Sequence, residues 1–453
     1  MNRRQTLRSL IVAIALAPLC AAALPPPAAH AEATILVDAE TGKVLEAENA
    51  TYPWYPASVT KLMTAYVTLS AIKAGRITPD TLFTVSHIAA AQSPTKMGFP
   101  PGTQVTVDNA LKMLLVHSAN DMAVVLAEGV DGSIENFSDE MTRTAQRLGM
   151  TQSNFVNPNG LPADGQITSA RDLAILARAL IHDFPEYGAY WHIAAIKFGR
   201  RIIHNTNSLV GRYPGLDGMK TGFICASGFN VVATATRGGR RLIAVVLGAP
   251  SSAARAIKAA ELLESGFTQN PLAWLTPALG SVDNLTPVNA DPPNLHDSVC
   301  GPHRKRAPAE EEEEAGGANG VGGAGGVDTP FSAILSSLRA PVPKGAALLS
   351  DFNTEPPVVV YTGPKRTPAE VAKLNAIEPG PAHKKKAGAK TAAAKPADDK
   401  AVDEKTPDAK ATEHKPATAA KTRTKTTKTT AVVEKPKKQQ KAEPTAKPAT
   451  AAQ

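Results

Sequence analysis

PASVTKLMTAYVTLSAIKAG, residues 56–75, carries one continuous helical stripe. Val59, Leu62, Met63, Tyr66 and Val67 recur at i, i+3, i+4, i+7 and i+8, the period of a single helix face. Pro56 precedes the stripe and Gly75 ends it, as start and stop residues do. Upstream, Thr34–Asp38 reads as a strand, Thr41-Gly42 as a turn and Lys43–Glu46 as a returning strand, which makes a hairpin. Downstream, Asp108–Val130 reads as a helical region broken by the polar run His117-Ser118-Ala119-Asn120-Asp121. Ser169–His182 reads as a helix with Ser169 at its N-cap and Leu173, Leu176, Ala177 and Leu180 on one face. Three strand runs follow, Gly218–Phe223, Phe229–Thr236 and Arg241–Gly248, with a Gly238-Gly239 turn between the last two. Ser252–Leu263 closes the pattern as a helix. Two strands, many helices, then antiparallel strands and a helix describe an α+β fold. Its terminal elements share one antiparallel sheet flanked by helices, and the middle helices form a mostly helical lobe.

Composition divides the 453 residues unevenly. Residues 1–31 read as a signal peptide, with Arg3, Arg4 and Arg8 before the apolar run Leu10–Leu24 and a small-x-small site at Ala29-His30-Ala31. A short membrane anchor is the alternative, and the Arg3-Arg4 pair resembles a twin-arginine signal. Pro18 and Leu19 before Cys20 argue against lipidation. Residues 32–268 hold the folded pattern. Residues 269–380 thin into a Pro/Gly/Glu-rich, mostly disordered linker, with the acidic run Glu310–Glu314 and the apolar island Phe331–Leu338. Residues 381–453 are a disordered tail of Lys, Ala, Pro and Thr. The net charge of +8 misleads as an average, because the tail alone holds 17 Lys and one Arg against eight Asp and Glu. A basic tail on an exported chain points away from nucleic acid, and it lacks the interleaved aromatics of a stacking platform. Weak contact with anionic membrane or wall polymers, or a solvated spacer, are the two readings of the tail. Cys225 and Cys300 remain after cleavage; they pair in an oxidising compartment, or Cys225 is buried and Cys300 is a free surface thiol.

Ser58-Val59-Thr60-Lys61 is an S-x-x-K element at the head of the first helix. Three residues is nearly one turn, so the hydroxyl and the amine face the same way. A serine hydroxyl needs a base, and a lysine made neutral by burial and a neighbouring cation supplies one. Alone the pattern is weak: Ser93-Pro94-Thr95-Lys96 matches it too, inside a Pro/Gly-rich loop. The pattern gains force from Ser118-Ala119-Asn120 in a helical break and Lys220-Thr221-Gly222 on a strand. S-x-x-K, S-x-N and K-T-G in that order, each on its expected element, form a penicillin-recognising set.

The stretches ILVDAETGKVLEAENA, PASVTKLMTAYV, HSANDMAVVLAE, NGLPADGQITSARDLA and DGMKTGF resemble the D-alanyl-D-alanine carboxypeptidases, the low-molecular-mass penicillin-binding proteins of the SxxK serine peptidase type. The resemblance covers residues 34–267 and implies a β-lactamase/transpeptidase-like fold. It implies removal of the terminal D-Ala from a peptidoglycan stem pentapeptide through an acyl-enzyme on Ser58, inhibition by β-lactam antibiotics, and no cofactor or metal. It makes Ser58 the nucleophile, Lys61 its base and Ser118 a proton relay. Asn120 would hold the peptide amide, and Lys220 and Thr221 the terminal carboxylate. Gly222 would let the substrate pair with the strand edge, and the N–H groups of Ser58 and Phe223 would form the oxyanion hole. The chain departs from some relatives at Asn159, where they carry histidine, and at Phe223, where they carry a polar residue. It implies action in the periplasm or cell envelope.

Two other readings share parts of the pattern. A β-lactamase would carry S-D-N and a glutamate in the loop before K-T-G; here Ala119 stands in the first and residues 154–169 contain no Glu. A wall-binding protein would use the basic tail, with the enzyme-like part as passenger.

Overall fold

In β1 (Ala33–Asp38) every residue through Val37 is buried, because the strand is covered on both faces. Ala33, Ile35 and Val37 join the apolar cluster of the helical lobe, and Leu36 points to a second cluster on the opposite side. This is the period-2 alternation of a strand applied to two cores. The structure, a computed structural model, describes residues 32–268, 279–301, 344–350 and 355–378. The expected signal peptide, the acidic run, the apolar island at 331–338 and the basic tail lie outside the described residues.

The strands in chain order are β1, β2 (Val44–Glu48), β3 (Leu82–Thr84), β4 (Gln104–Thr106), β5 (Ala195–Phe198), β6 (Arg201–His204), β7 (Leu216–Ile224), β8 (Gly228–Arg237), β9 (Arg240–Ala249) and β10 (Val358–Val359). The main sheet has the order β2-β1-β9-β8-β7 and is antiparallel throughout. It thus joins β1 and β2 to β7–β9, as the sequence pattern implies. Gly238 and Gly239 both have positive φ, 57° and 76°, which the tight β8–β9 turn requires.

The helices are α1 (Lys61–Lys73), α2 (His87–Ala90), α3 (Val107–Val116), α4 (Asn120–Asp131), α5 (Ile134–Leu148), α6 (Ala170–Asp183), α7 (Ser252–Phe267), α8 (His296–Cys300) and α9 (Pro368–Asn375). α7 covers one face of the sheet with Ala256, Ala259, Ala260 and Leu263 against Val231, Ala233 and Val246. The helical lobe covers the other. α1 is more deeply placed than a one-face stripe implies: all of Lys61–Leu69 is buried, so it runs through the lobe and not along its surface. α5 is absent from the sequence reading, although its signals are present. Ser133 accepts from Asn136 N as N-cap, Gly149 ends it at φ 80°, and Phe137, Met141 and Ala145 face inward.

Residues 269–380, read from sequence as mostly disordered, contain three described stretches that pack on the domain. Val282, Val299, Leu348 and Val360 are all buried. Arg171 donates to the carbonyls of Val282 and Asp283, Leu295 N donates to Ala226 O, and β10 pairs with β5. Cys225 and Cys300 form a disulfide across 75 residues, so the pairing alternative holds. Single apolar anchors in irregular chain have no period, which is why pattern reading passes over them.

Candidate active site

Ser58 lies on a single 3-10 turn, Ala57–Thr60, that leads directly into α1. At three residues per turn, positions i and i+3 eclipse. Ser58 and Lys61 are therefore stacked more directly than α-helical spacing implies, and Lys61 Nζ donates to Ser58 Oγ at 2.9 Å. The same nitrogen donates to Asn120 Oδ1 at 2.8 Å and to the Asn159 carbonyl at 2.7 Å. Lys61 is fully buried and Ser58 half-buried.

The turn is held from three sides. Asn230 Nδ2 donates to the carbonyls of Tyr55 and Pro56, at 3.1 and 3.2 Å, while its Oδ1 accepts from Gly248 N. Ala57 has φ 49°, a region costly for a residue with a Cβ. Gly160 passes so close that a Cβ there would lie 1.8 Å from Ala57 O. Gly222 on β7 approaches likewise: a Cβ would lie 2.8 Å from Ser58 N and 2.9 Å from Val59 N. The missing side chain in K-T-G thus lets β7 lie against the serine turn, a reason additional to the one expected. β7 is also an edge strand of its sheet, open to pairing on its free side.

The break between α3 and α4 places the second motif. His117 caps α3, and Ser118 has φ 59°. Ser118 Oγ is buried and has no hydrogen-bond partner within the protein. Asn120 opens α4; its N–H donates to Thr95 O at 2.8 Å and its Nδ2 to Ser93 O at 2.9 Å. The second S-x-x-K match is therefore a loop, as expected, but one that braces the site with its carbonyls. Asp121 ties down the same loop by accepting from Met97 N and Gly98 N. His117 is held neutral at ordinary pH. Burial pushes its pKa down to about 4, the Arg201 and Lys220 charges add to the shift, and a hydrogen bond with the Lys96 backbone opposes it.

The third motif is buried. Lys220 Nζ donates to Thr221 O at 3.0 Å and to Thr206 Oγ1 at 3.4 Å, and Thr221 Oγ1 donates to Thr206 Oγ1 at 2.9 Å. The Phe223 ring stacks on Phe229, with centroids 4.1 Å apart. Phe229 belongs to the cluster under α7, so the ring serves that core. The structure thus joins Ser58, Lys61 and Asn120 directly. It sets Gly222 against the serine turn and links Lys220 to Thr221 through Thr206. Asn159, Thr206 and Asn230 have no motif to mark them; of these, sequence reading singles out only Asn159, as a departure. Among the described residues, no group of three or more His, Cys, Asp or Glu is placed to hold a metal ion. A groove of about 430 Å³ lined by Arg76, Asp131, Glu140 and Arg143 shares no residue with this site.

Residues 21–251 match the family model described as D-alanyl-D-alanine carboxypeptidase. The chain is 40% identical over 248 residues to the D-alanyl-D-alanine carboxypeptidase DacC of Escherichia coli (strain K12), which covers 53% of this chain and 62% of the relative. It is 38% identical over 278 residues to DacD of Salmonella typhimurium, covering 59% of this chain and 71% of the relative. It spans less than two thirds of the length of the E. coli relatives DacC and DacD, 62% and 64%. Among solved structures, the crystal structure of penicillin binding protein 6B from Escherichia coli is 39% identical with a TM-score of 0.51, over 54% of this chain and 80% of that one. Penicillin binding protein 5 from Haemophilus influenzae is 35% identical with a TM-score of 0.51, over 54% of this chain and 73% of that one.

Proposed function

The chain belongs to the D-alanyl-D-alanine carboxypeptidase family, and from that membership we propose that it removes the terminal D-alanine from peptidoglycan stem pentapeptides and is acylated by β-lactam antibiotics. The observation that carries the reading is the Lys61 amine, which bonds Ser58 Oγ from its own motif and Asn120 Oδ1 from the second. A nucleophile and a base in hydrogen-bond reach are the signature of covalent catalysis.

Ser58 Oγ attacks the carbonyl carbon of the penultimate D-Ala, and neutral Lys61 takes the hydroxyl proton. The N–H groups of Ser58 and Phe223 receive the developing oxyanion. The C–N bond breaks, and the departing D-Ala amine gains its proton from Lys61 by way of Ser118. That relay has support in the Ser118 hydroxyl, which is buried and makes no hydrogen bond to the protein. Water then cleaves the ester, returning Ser58 and releasing the shortened peptide. Asn120 orients the peptide amide, and Lys220 and Thr221 hold the terminal carboxylate, with the substrate chain along the open edge of β7.

The proposed place of action is the cell envelope, after export and cleavage near Ala31, with the tail in weak, salt-sensitive contact with anionic lipid or wall polymers. The deciding experiment is mass spectrometry of a stem pentapeptide incubated with wild type and with Ser58→Ala. Loss of one D-Ala with wild type alone is the expected result. No loss with wild type refutes the activity, and rapid turnover of penicillin in place of a lasting adduct on Ser58 would favour a β-lactamase.

A further inference from the structure

Two donors of the third motif share an acceptor that belongs to no motif. Lys220 Nζ and Thr221 Oγ1 converge on Thr206 Oγ1 at 3.4 and 2.9 Å. Thr206 lies two residues beyond β6 and is buried. Its N–H donates to Val116 O at 3.1 Å, the last residue of α3, and its carbonyl accepts from Arg255 Nη2 at 3.5 Å. Thr206 is therefore fixed by main chain to the helix that leads into Ser118, while its hydroxyl reaches across to β7.

A hydroxyl oxygen offers two lone pairs, and here two donors approach it. One oxygen of a terminal carboxylate would present the same acceptor pair, with a full charge. We propose that Thr206 is a positioning residue for substrate carboxylate recognition: its hydroxyl holds Lys220 and Thr221 convergent in the free enzyme and yields them to the substrate oxygen. This rests on the function proposed above, in which those two residues bind the carboxylate.

The exchange favours an anion. Hydrogen bonds to a charged acceptor are roughly twice as strong as those to a neutral one, so a carboxylate displaces Thr206 Oγ1 with a gain and a neutral carboxamide does so nearly evenly. Holding both donors in place beforehand removes the cost of ordering them on binding. Without the hydroxyl, Lys220 keeps the Thr221 carbonyl at 3.0 Å, and Thr221 loses the bond that orients its proton. The effect therefore falls on substrate discrimination more than on the chemical step.

The test compares wild type, Thr206→Val, Thr206→Ala and Thr206→Ser on two peptides, one ending in D-Ala-D-Ala free acid and one in its carboxamide. In Thr206→Val, KM for the acid rises about tenfold, equivalent to about 1.4 kcal/mol. Its kcat stays near wild type, and the carboxamide parameters stay within about twofold, a change too small to register as a lost contact. Thr206→Ala gives the same pattern should the valine variant fail to fold, and Thr206→Ser keeps the wild-type preference for acid. Equal losses on both peptides, no loss on either, or a lost preference in the serine variant overturns the proposal. A wild-type enzyme that cleaves neither peptide overturns the function and this inference with it. A wild-type enzyme that cleaves the acid while Thr206→Val matches it overturns this inference alone.

Discussion

Replacing Gly222 by alanine adds one methyl group where β7 lies against the Ser58 turn. The new Cβ would sit 2.8 Å from Ser58 N, 2.9 Å from Val59 N and 3.1 Å from Pro56 O. Ordinary contact begins near 3.4 Å, so β7 and the serine turn must part by roughly half an ångström, and both partners are backbone. Overpacking of this kind costs about 1–3 kcal/mol. At about 2–4 °C per kcal/mol for a domain of this size, the melting temperature falls by several degrees. The kinetic effect is larger, because a displacement near 1 Å costs about 10²-fold in a positioned reaction. Gly222→Ala should therefore acylate with penicillin some tens of times more slowly than wild type, on the scale set by that displacement. Gly188→Ala is the control, since a Cβ there meets nothing within 4 Å. Stopped-flow labelling of Ser58 and thermal melts measure both effects. A Gly222→Ala enzyme that labels within about threefold of wild type, less than the expected loss by a wide margin, refutes the reasoning, as does an equal loss in Gly188→Ala.

Other perturbations test other parts of the structure. His117 has a folded pKa near 4 against an ordinary value of 6.5, so protonation favours the unfolded chain. The contribution is intact above pH 6.5 and is lost as pH falls toward 4; about 2 kcal/mol of it disappears between pH 7 and pH 5. Urea melts of wild type and His117→Gln at both pH values read this, and the variant should lack that share of the drop. Asn230→Ala removes the donor to Tyr55 O and Pro56 O and the acceptor of Gly248 N. It should lower stability by about 1–3 kcal/mol and slow penicillin labelling, whereas unchanged labelling would show that the serine turn holds itself. Cys300→Ser opens the Cys225 crosslink and should cost about 2–4 kcal/mol in denaturant; the readout is the urea midpoint under non-reducing conditions.

What sequence reading reached and what it missed follow from how each residue acts. Ser58 and Lys61 are legible because local helix geometry turns a spacing of three into a contact. The sheet is legible because β1, β8 and β9 are runs of apolar residues bounded by glycine turns. Thr206, Asn230 and the Asn159 carbonyl act across 14, 174 and 98 residues of chain, and nothing local marks them. Asn159 also contributes through its main chain, which any residue type possesses. The 93–96 loop shows the reverse case. It matches a catalytic motif in letters, and its contribution is two carbonyl groups that brace Asn120.

The pairing of β1 with β9 carries a consequence for how the molecule comes into being. Ala33 lies opposite Leu247, so the sheet closes only after more than two hundred residues have been made. Contacts of such sequence separation form slowly, because loop closure must precede any reward from burial. Ser58, Lys61, Ser118 and Asn120 all emerge from the ribosome well before the strands that brace the Ser58 turn. A chain that stops short of Arg240 therefore holds Ser58 and Lys61 without β9, the strand that ties β8 to β1. Until the β8–β9 hairpin joins β1, the chain should remain unlabelled by penicillin, and competence should arrive in one step with β9.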